Sequence, residues 1–144
     1  MSLTERMILP LASESDAEQT CQSFVEQFSE DAGGSTVVLV HVIEKAGGAP
    51  DKAPLAAREE QAESIFRFAT TYLESEGFET ETQLVYETDV IEGIVDTAEK
   101  VDGTSIVFAP RSGGWLTSLL AGDTTNDLLA SSPLPVIVLP TPSE

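Results

Sequence analysis

The run Thr36-Val37-Val38-Leu39-Val40-His41-Val42-Ile43 constrains the fold more than any other feature of this chain. It is almost entirely apolar and rich in β-branched residues, so it forms a strand. A strand in a one-sided sheet alternates apolar and polar residues. This one is apolar at successive positions and must be covered on both faces, which is the pattern of an interior strand in a parallel sheet. A parallel sheet needs crossover helices, and the rest of the chain supplies them.

Met7-Ile8-Leu9-Pro10-Leu11 is a short apolar strand with Pro10 near its end, a position a strand tolerates. Ser15-Asp16-Ala17-Glu18 has the form of a capping box, which predicts a helix start at Ser15. Ala17, Cys21, Phe24, Val25 and Phe28 recur at helical spacing behind it, and Gly33-Gly34 closes the segment. The glycines and prolines of Lys45 to Pro54 predict a loop. A second helix is expected from Leu55 to Glu76, with a stripe of Ala62, Ile65, Phe66, Ala69, Tyr72 and Leu73 and a stop at Gly77. Glu79 to Tyr86 is a more polar, threonine-rich strand suited to a sheet edge. Asp89 and Glu92 cap a third helix with the stripe Val90, Ile91, Ile94, Val95 and Ala98. Ser105 to Ala109 is a fourth strand, Arg111 to Gly122 a loop, Thr124 to Ser131 a fourth helix, and Val136 to Leu139 a fifth strand between Pro135 and Pro140. Strands alternating with helices at these lengths predict a single α/β domain over residues 1–144, with a parallel sheet and helices on both faces.

Charge narrows the partners. The chain carries 25 acidic against 7 basic residues, a formal net charge of −18. Such a surface repels phosphate backbones and anionic bilayers, so neither nucleic acid nor membrane is an expected partner. The acids run from Glu5 to Glu144 instead of forming a tail, and the only lysines are Lys45, Lys52 and Lys100. An even acidic coat with little lysine suits concentrated salt, where self-repulsion is screened. No apolar run reaches the roughly 20 residues of a membrane span, and no basic-then-apolar leader is present, so a cytoplasmic protein is expected.

Catalytic chemistry finds little to use. His41 is the only histidine and lies inside a strand, where packing is the expected role. A nucleophile triad would need a strained serine elbow beside it, and no Gly-x-Ser-x-Gly string occurs. Cys21, the only cysteine, sits on an apolar helix face, so it forms no intrachain disulfide and is expected to be a buried packing residue. One histidine and one cysteine make no zinc pattern, and there is neither a Walker A string nor a Gly-x-Gly-x-x-Gly.

Several strings, in order, resemble the universal stress protein family over nearly the whole chain: Ile8-Leu9-Pro10, Leu39-Val40-His41-Val42-Ile43-Glu44, Ser105-Ile106-Val107-Phe108, and the segment from Leu119 through Gly122 to Pro135-Val136-Ile137-Val138-Leu139-Pro140. The resemblance implies a three-layer sandwich. Its five-stranded parallel sheet runs in the order 3-2-1-4-5, Rossmann-like in the adenine nucleotide alpha hydrolase manner. Ligands of such sheets bind in the crevice at the switch point. In nucleotide-binding members an aspartate ends strand 1 and holds the adenine, a valine lies by the base, and a glycine pair follows strand 4. A glycine with a hydroxyl residue then begins the next helix, where backbone amides cradle phosphates.

Here Val42 and Gly122 match. Ala12 stands for the aspartate, Ala109 and Ser112 for the glycine pair, and Asp123 for the hydroxyl residue ahead of Thr124. Thr88 stands where a glycine near the ribose is common, and Gly113 and Gly114 lie at the wrong spacing to restore the phosphate loop. A carboxylate at Asp123 caps the helix start and repels a triphosphate. Arg111 either binds a small anion or pairs with an acid such as Asp123. Trp115 is either a lid over the crevice or a plug in a dimer contact. The expected function is a stress-associated regulatory or adaptor protein, not an enzyme, without the usual ATP binding and without a cofactor or metal. The alternative is an ATP- or AMP-binding switch with slow or no hydrolysis. A homodimer is expected through Val136, Ile137, Val138 and Leu139, an uncharged strand at the sheet edge, and the resemblance implies the same contact.

Overall fold

The structure, a computed structural model, describes residues 2–44, 55–109, 130 and 132–140. Five strands, β1 (Arg6–Pro10), β2 (Thr36–Glu44), β3 (Glu79–Glu87), β4 (Ser105–Phe108) and β5 (Val136–Val138), form one sheet in the order β3-β2-β1-β4-β5. All four pairings are parallel, with Met7 opposite Val37 on one side and Ser105 on the other. The helices are α1 (Glu14–Phe28), α2 (Leu55–Ser75) and α3 (Val90–Lys100), with a 3-10 turn over Ser29–Gly34. The loop predicted for Lys45 to Pro54, the Arg111–Gly122 loop with Trp115, and nearly all of the Thr124–Ser131 helix lie outside the described residues.

The double-sided burial expected of the second strand is present: Val37 through Ile43 are all buried. Alternation divides the apolar side chains between two cores. Met7, Leu9, Val37, Leu39 and Val107 pack with Ala17, Cys21 and Phe24 of α1 and Ile65, Ala69 and Leu73 of α2. Ile8, Val38, Val40, Ile106 and Phe108 pack with Val90, Ile91, Ile94, Val95 and Ala98 of α3 on the other face. The polar strand β3 is at an edge, as its composition predicts.

Turn chemistry sets where the helices begin and end. Asp89 caps α3 by accepting from the Glu92 N–H, as expected. The start of α1 differs from the sequence expectation. Ser13, not Ser15, is the cap, its hydroxyl accepting from the Asp16 N–H at 3.1 Å. Both serines lie near a carboxylate three residues on, in Ser13–Asp16 and Ser15–Glu18, and the earlier register wins because it brings Asp16 to the buried side. Gly77, at φ +95°, ends α2 in the left-handed region that glycine adopts without strain. Gly103 permits the close approach of the α3–β4 turn to β1, where an added Cβ would lie 2.6 Å from Ile8 Cγ1.

Strand β5 spans three residues, one fewer than expected, and Leu139 continues its pairing through a bond from its N–H to the Phe108 carbonyl at 2.8 Å. Val138 is 49% exposed on this edge.

Candidate functional site

The carboxyl ends of β1 and β2 open into a cavity of about 290 Å³, bounded by Ala12, Ser13, His41, Val42, Glu44 and Arg58. Strand β1 stops at Pro10, but the Leu11 N–H still reaches the Val40 carbonyl at 2.8 Å, which carries the chain onward beside β2. The Leu11 carbonyl then meets His41 Nδ1 at 2.7 Å. A carbonyl only accepts, so Nδ1 carries the proton and Nε2 holds a lone pair. Burial is the main cause that lowers the imidazole pKa, with the positive charge of Arg58 acting in the same direction and the Leu11 bond opposing it. The ring is therefore neutral at pH 7.

Ala12, 6% exposed, is one of the residues that line this cavity. Its methyl group offers no hydrogen bond. Its N–H donates to Asp16 Oδ2 at 2.9 Å, while Asp16 Oδ1 accepts from the Thr20 hydroxyl at 3.1 Å. Asp16 is 1% exposed, so this carboxylate is committed to holding the first turn of α1 against the end of β1. At the mouth, Arg58 Nη2 donates to the Glu44 carbonyl at 2.8 Å and ties α2 to the end of β2.

Of the residues singled out in the sequence, the structure brings Ala12 and Val42 to the crevice, and buries Ala109 just past β4. Arg111, Ser112, Gly122, Asp123 and Thr124 lie outside the described residues. His41 was expected to be a packing residue, and it is buried and hydrogen-bonded as such a residue should be. It also lines the crevice, as do Arg58 and Glu44, which sequence reasoning did not single out. Arg58 is one of few cations in an acidic chain and stands one helical turn inside α2, and that rarity was the signal available. Cys21 is buried, and burial, reinforced by the Asp16 charge, pushes its thiol up to about 12, which makes it an inert packing residue.

Two other features fall outside this crevice. An open groove of about 570 Å³ between α1 and α2 is lined by Phe68, Tyr72, Arg67, Glu14 and Glu18 among others. Glu87, Glu92 and Asp96 bring carboxylate oxygens within 4.8 Å of one another near the end of β3. Among the described residues no helix is long and apolar enough to cross a membrane.

An open parallel sheet in the order 3-2-1-4-5, helices on both faces and a crevice at the strand carboxyl ends define a Rossmann-like α/β architecture. The model of the universal stress protein family matches residues 4–140, and the chain belongs to that family. Solved structures agree in fold. A universal stress protein from Archaeoglobus fulgidus in complex with dAMP is 23% identical, with 96% of this chain and 100% of that chain covered and a TM-score of 0.69. A family member from Burkholderia pseudomallei is 19% identical, covering 98% and 99%, at 0.69. A universal stress protein in complex with cAMP is 16% identical, covering 95% and 97%, at 0.64. No curated protein is significantly similar in sequence.

Proposed function

We propose that this protein is a non-enzymatic regulatory or adaptor member of the universal stress protein family whose crevice does not hold ATP in the family's usual manner. The observation that carries this reading is at Ala12. Where the family places a base-reading carboxylate there is a methyl group, and the adjacent N–H is already bonded to Asp16. The adjoining Asp16 carboxylate is occupied by the Ala12 N–H and the Thr20 hydroxyl. The cavity of about 290 Å³ is at the small end of the range for ligand sites. A net charge of −18 further opposes a triphosphate. In this reading the signal passes through a homodimer joined at β5, whose Val138 is exposed on the sheet edge. The purified protein should carry no nucleotide. Chromatography of the supernatant after acid denaturation checks this, and stoichiometric ATP or AMP there would overturn it.

A second reading, an adenine-nucleotide switch with slow or no hydrolysis, is favoured by two observations. Val42 stands on the crevice wall as in nucleotide-binding members. Proteins of the same fold have been solved with dAMP and with cAMP.

A further inference from the structure

Two aromatic side chains of α2 stand outside the stripe that the helix buries. The buried residues are Ala62, Ile65, Ala69 and Leu73. Phe68 and Tyr72 each sit one position before Ala69 and Leu73, about 100° around the helix, and are only half-buried. Both pack against the core that α1 and α2 share, with their ring centroids 5.8 Å apart and the planes at 40°. Both also line the groove of about 570 Å³ between those helices, together with Glu14 and Glu18, which are exposed and one turn apart on α1. This groove shares no lining residue with the crevice at the strand ends. Arg67 lines it too. Among the described residues, no ion pair joins Arg67 to Glu14 or Glu18, and no hydrogen bond occupies either carboxylate. Burial is the first cause that raises the Tyr72 phenol above its ordinary range, and the negative charges of Glu76 and Glu26 act in the same direction. The hydroxyl is therefore uncharged at pH 7, and the ring lies in a negative field.

We propose that the groove between α1 and α2 binds a small organic cation, a quaternary or aryl ammonium with an apolar body, through the Phe68 and Tyr72 rings and the Glu14 and Glu18 carboxylates. Complementarity selects that class. The face of an aromatic ring attracts a cation through its quadrupole, and nearby carboxylates add to the attraction. The volume is within the usual range of small-ligand sites, which suits a cation with a body. A neutral apolar molecule would use the rings and leave both carboxylates without a partner. An anion would meet Arg67, but against two carboxylates and a net charge of −18. Binding here is independent of whether the crevice holds ATP.

The chain has two tyrosines. Tyr72 lines the groove, while Tyr86 is exposed on β3 with its hydroxyl donating to Glu59. Labelling tyrosine rings with 13C therefore gives a reporter and an internal control on the same acidic surface. The probes are benzyltrimethylammonium and 2-methyl-1-phenylpropan-2-ol, an uncharged molecule of similar shape. The titrations are run in molar KCl, where diffuse attraction to the acidic surface is screened. At millimolar concentration the ammonium probe should shift Tyr72 and leave Tyr86 in place. It should bind at least about threefold more tightly than the alcohol, the preference that one exposed cation–π contact supplies. Phe68→Leu keeps an apolar side chain against the core and should lower that preference. Glu14→Gln combined with Glu18→Gln changes only exposed positions, so the protein should fold and the preference should fall as well. Equal shifts at Tyr72 and Tyr86 would overturn the proposal, since they would mark a diffuse counterion. So would no shift at Tyr72, equal affinity for the two probes, or an unchanged preference in the Glu14→Gln, Glu18→Gln protein.

Discussion

Replacing Asp16 by alanine tests how the end of β1 is held. The Asp16 side chain is buried, and its two oxygens accept from the Ala12 N–H at 2.9 Å and from the Thr20 hydroxyl at 3.1 Å. Truncation leaves both donors sealed: Thr20 is fully buried and Ala12 is 6% exposed. Each stranded donor costs about 1–3 kcal/mol. Loss of a carboxylate from the first turn of α1 adds about 0.3–1 kcal/mol. Removing a buried charge recovers part of this, so a net loss of about 2–4 kcal/mol is expected. For a chain of this size that is a fall in Tm of roughly 5–15 °C. Asp16→Asn keeps the shape and one acceptor and should lose about half as much. Differential scanning calorimetry and urea titration at fixed high salt measure both variants. An Asp16→Ala protein that melts within about 2 °C of the wild type would refute the assignment of this carboxylate as the anchor of Ala12.

Three further outcomes follow from the same structure. Cys21, with its thiol pushed up to about 12, should react with iodoacetamide at pH 8 at least about a hundredfold more slowly in the native protein than in urea, and comparable rates would show that it is not buried. Repulsion among a net −18 should be screened by salt, so Tm should rise from low salt to molar KCl, and a flat profile would count against adaptation to a saline interior. Val138, 49% exposed on an uncharged edge, should lie in a dimer contact: light scattering should show a dimer at molar salt that Val138→Lys splits, and a wild-type monomer there would remove the contact.

The fold was legible because burial leaves a strong periodic trace. Val37 to Ile43 could be covered on both faces only inside a parallel sheet, and the stripe from Val90 to Ala98 matched its helix position for position. The strand order came from the family resemblance, since periodicity says which residues are buried and not which strands adjoin. The start of α1 was misplaced by two residues because Ser13 and Ser15 both precede a carboxylate at the capping distance. Only the tertiary burial of Asp16 chooses between them. At the crevice, Ala12 and Val42 were found by position. His41 was not identified as a crevice residue, because a histidine in an apolar strand has the same pattern whether its far nitrogen meets protein or solvent. The Arg58 tie to the Glu44 carbonyl involves a backbone acceptor, which leaves no mark on sequence.

The central claim is that the crevice lacks the family's means of holding ATP, and calorimetric titration with ATP in molar KCl tests it most directly. The account predicts a Kd weaker than about 1 mM, little more than 4 kcal/mol of binding free energy. It also predicts measurable tightening when Ala12→Asp is combined with Ala109→Gly, Ser112→Gly and Asp123→Ser. Micromolar affinity in the wild-type protein would contradict it.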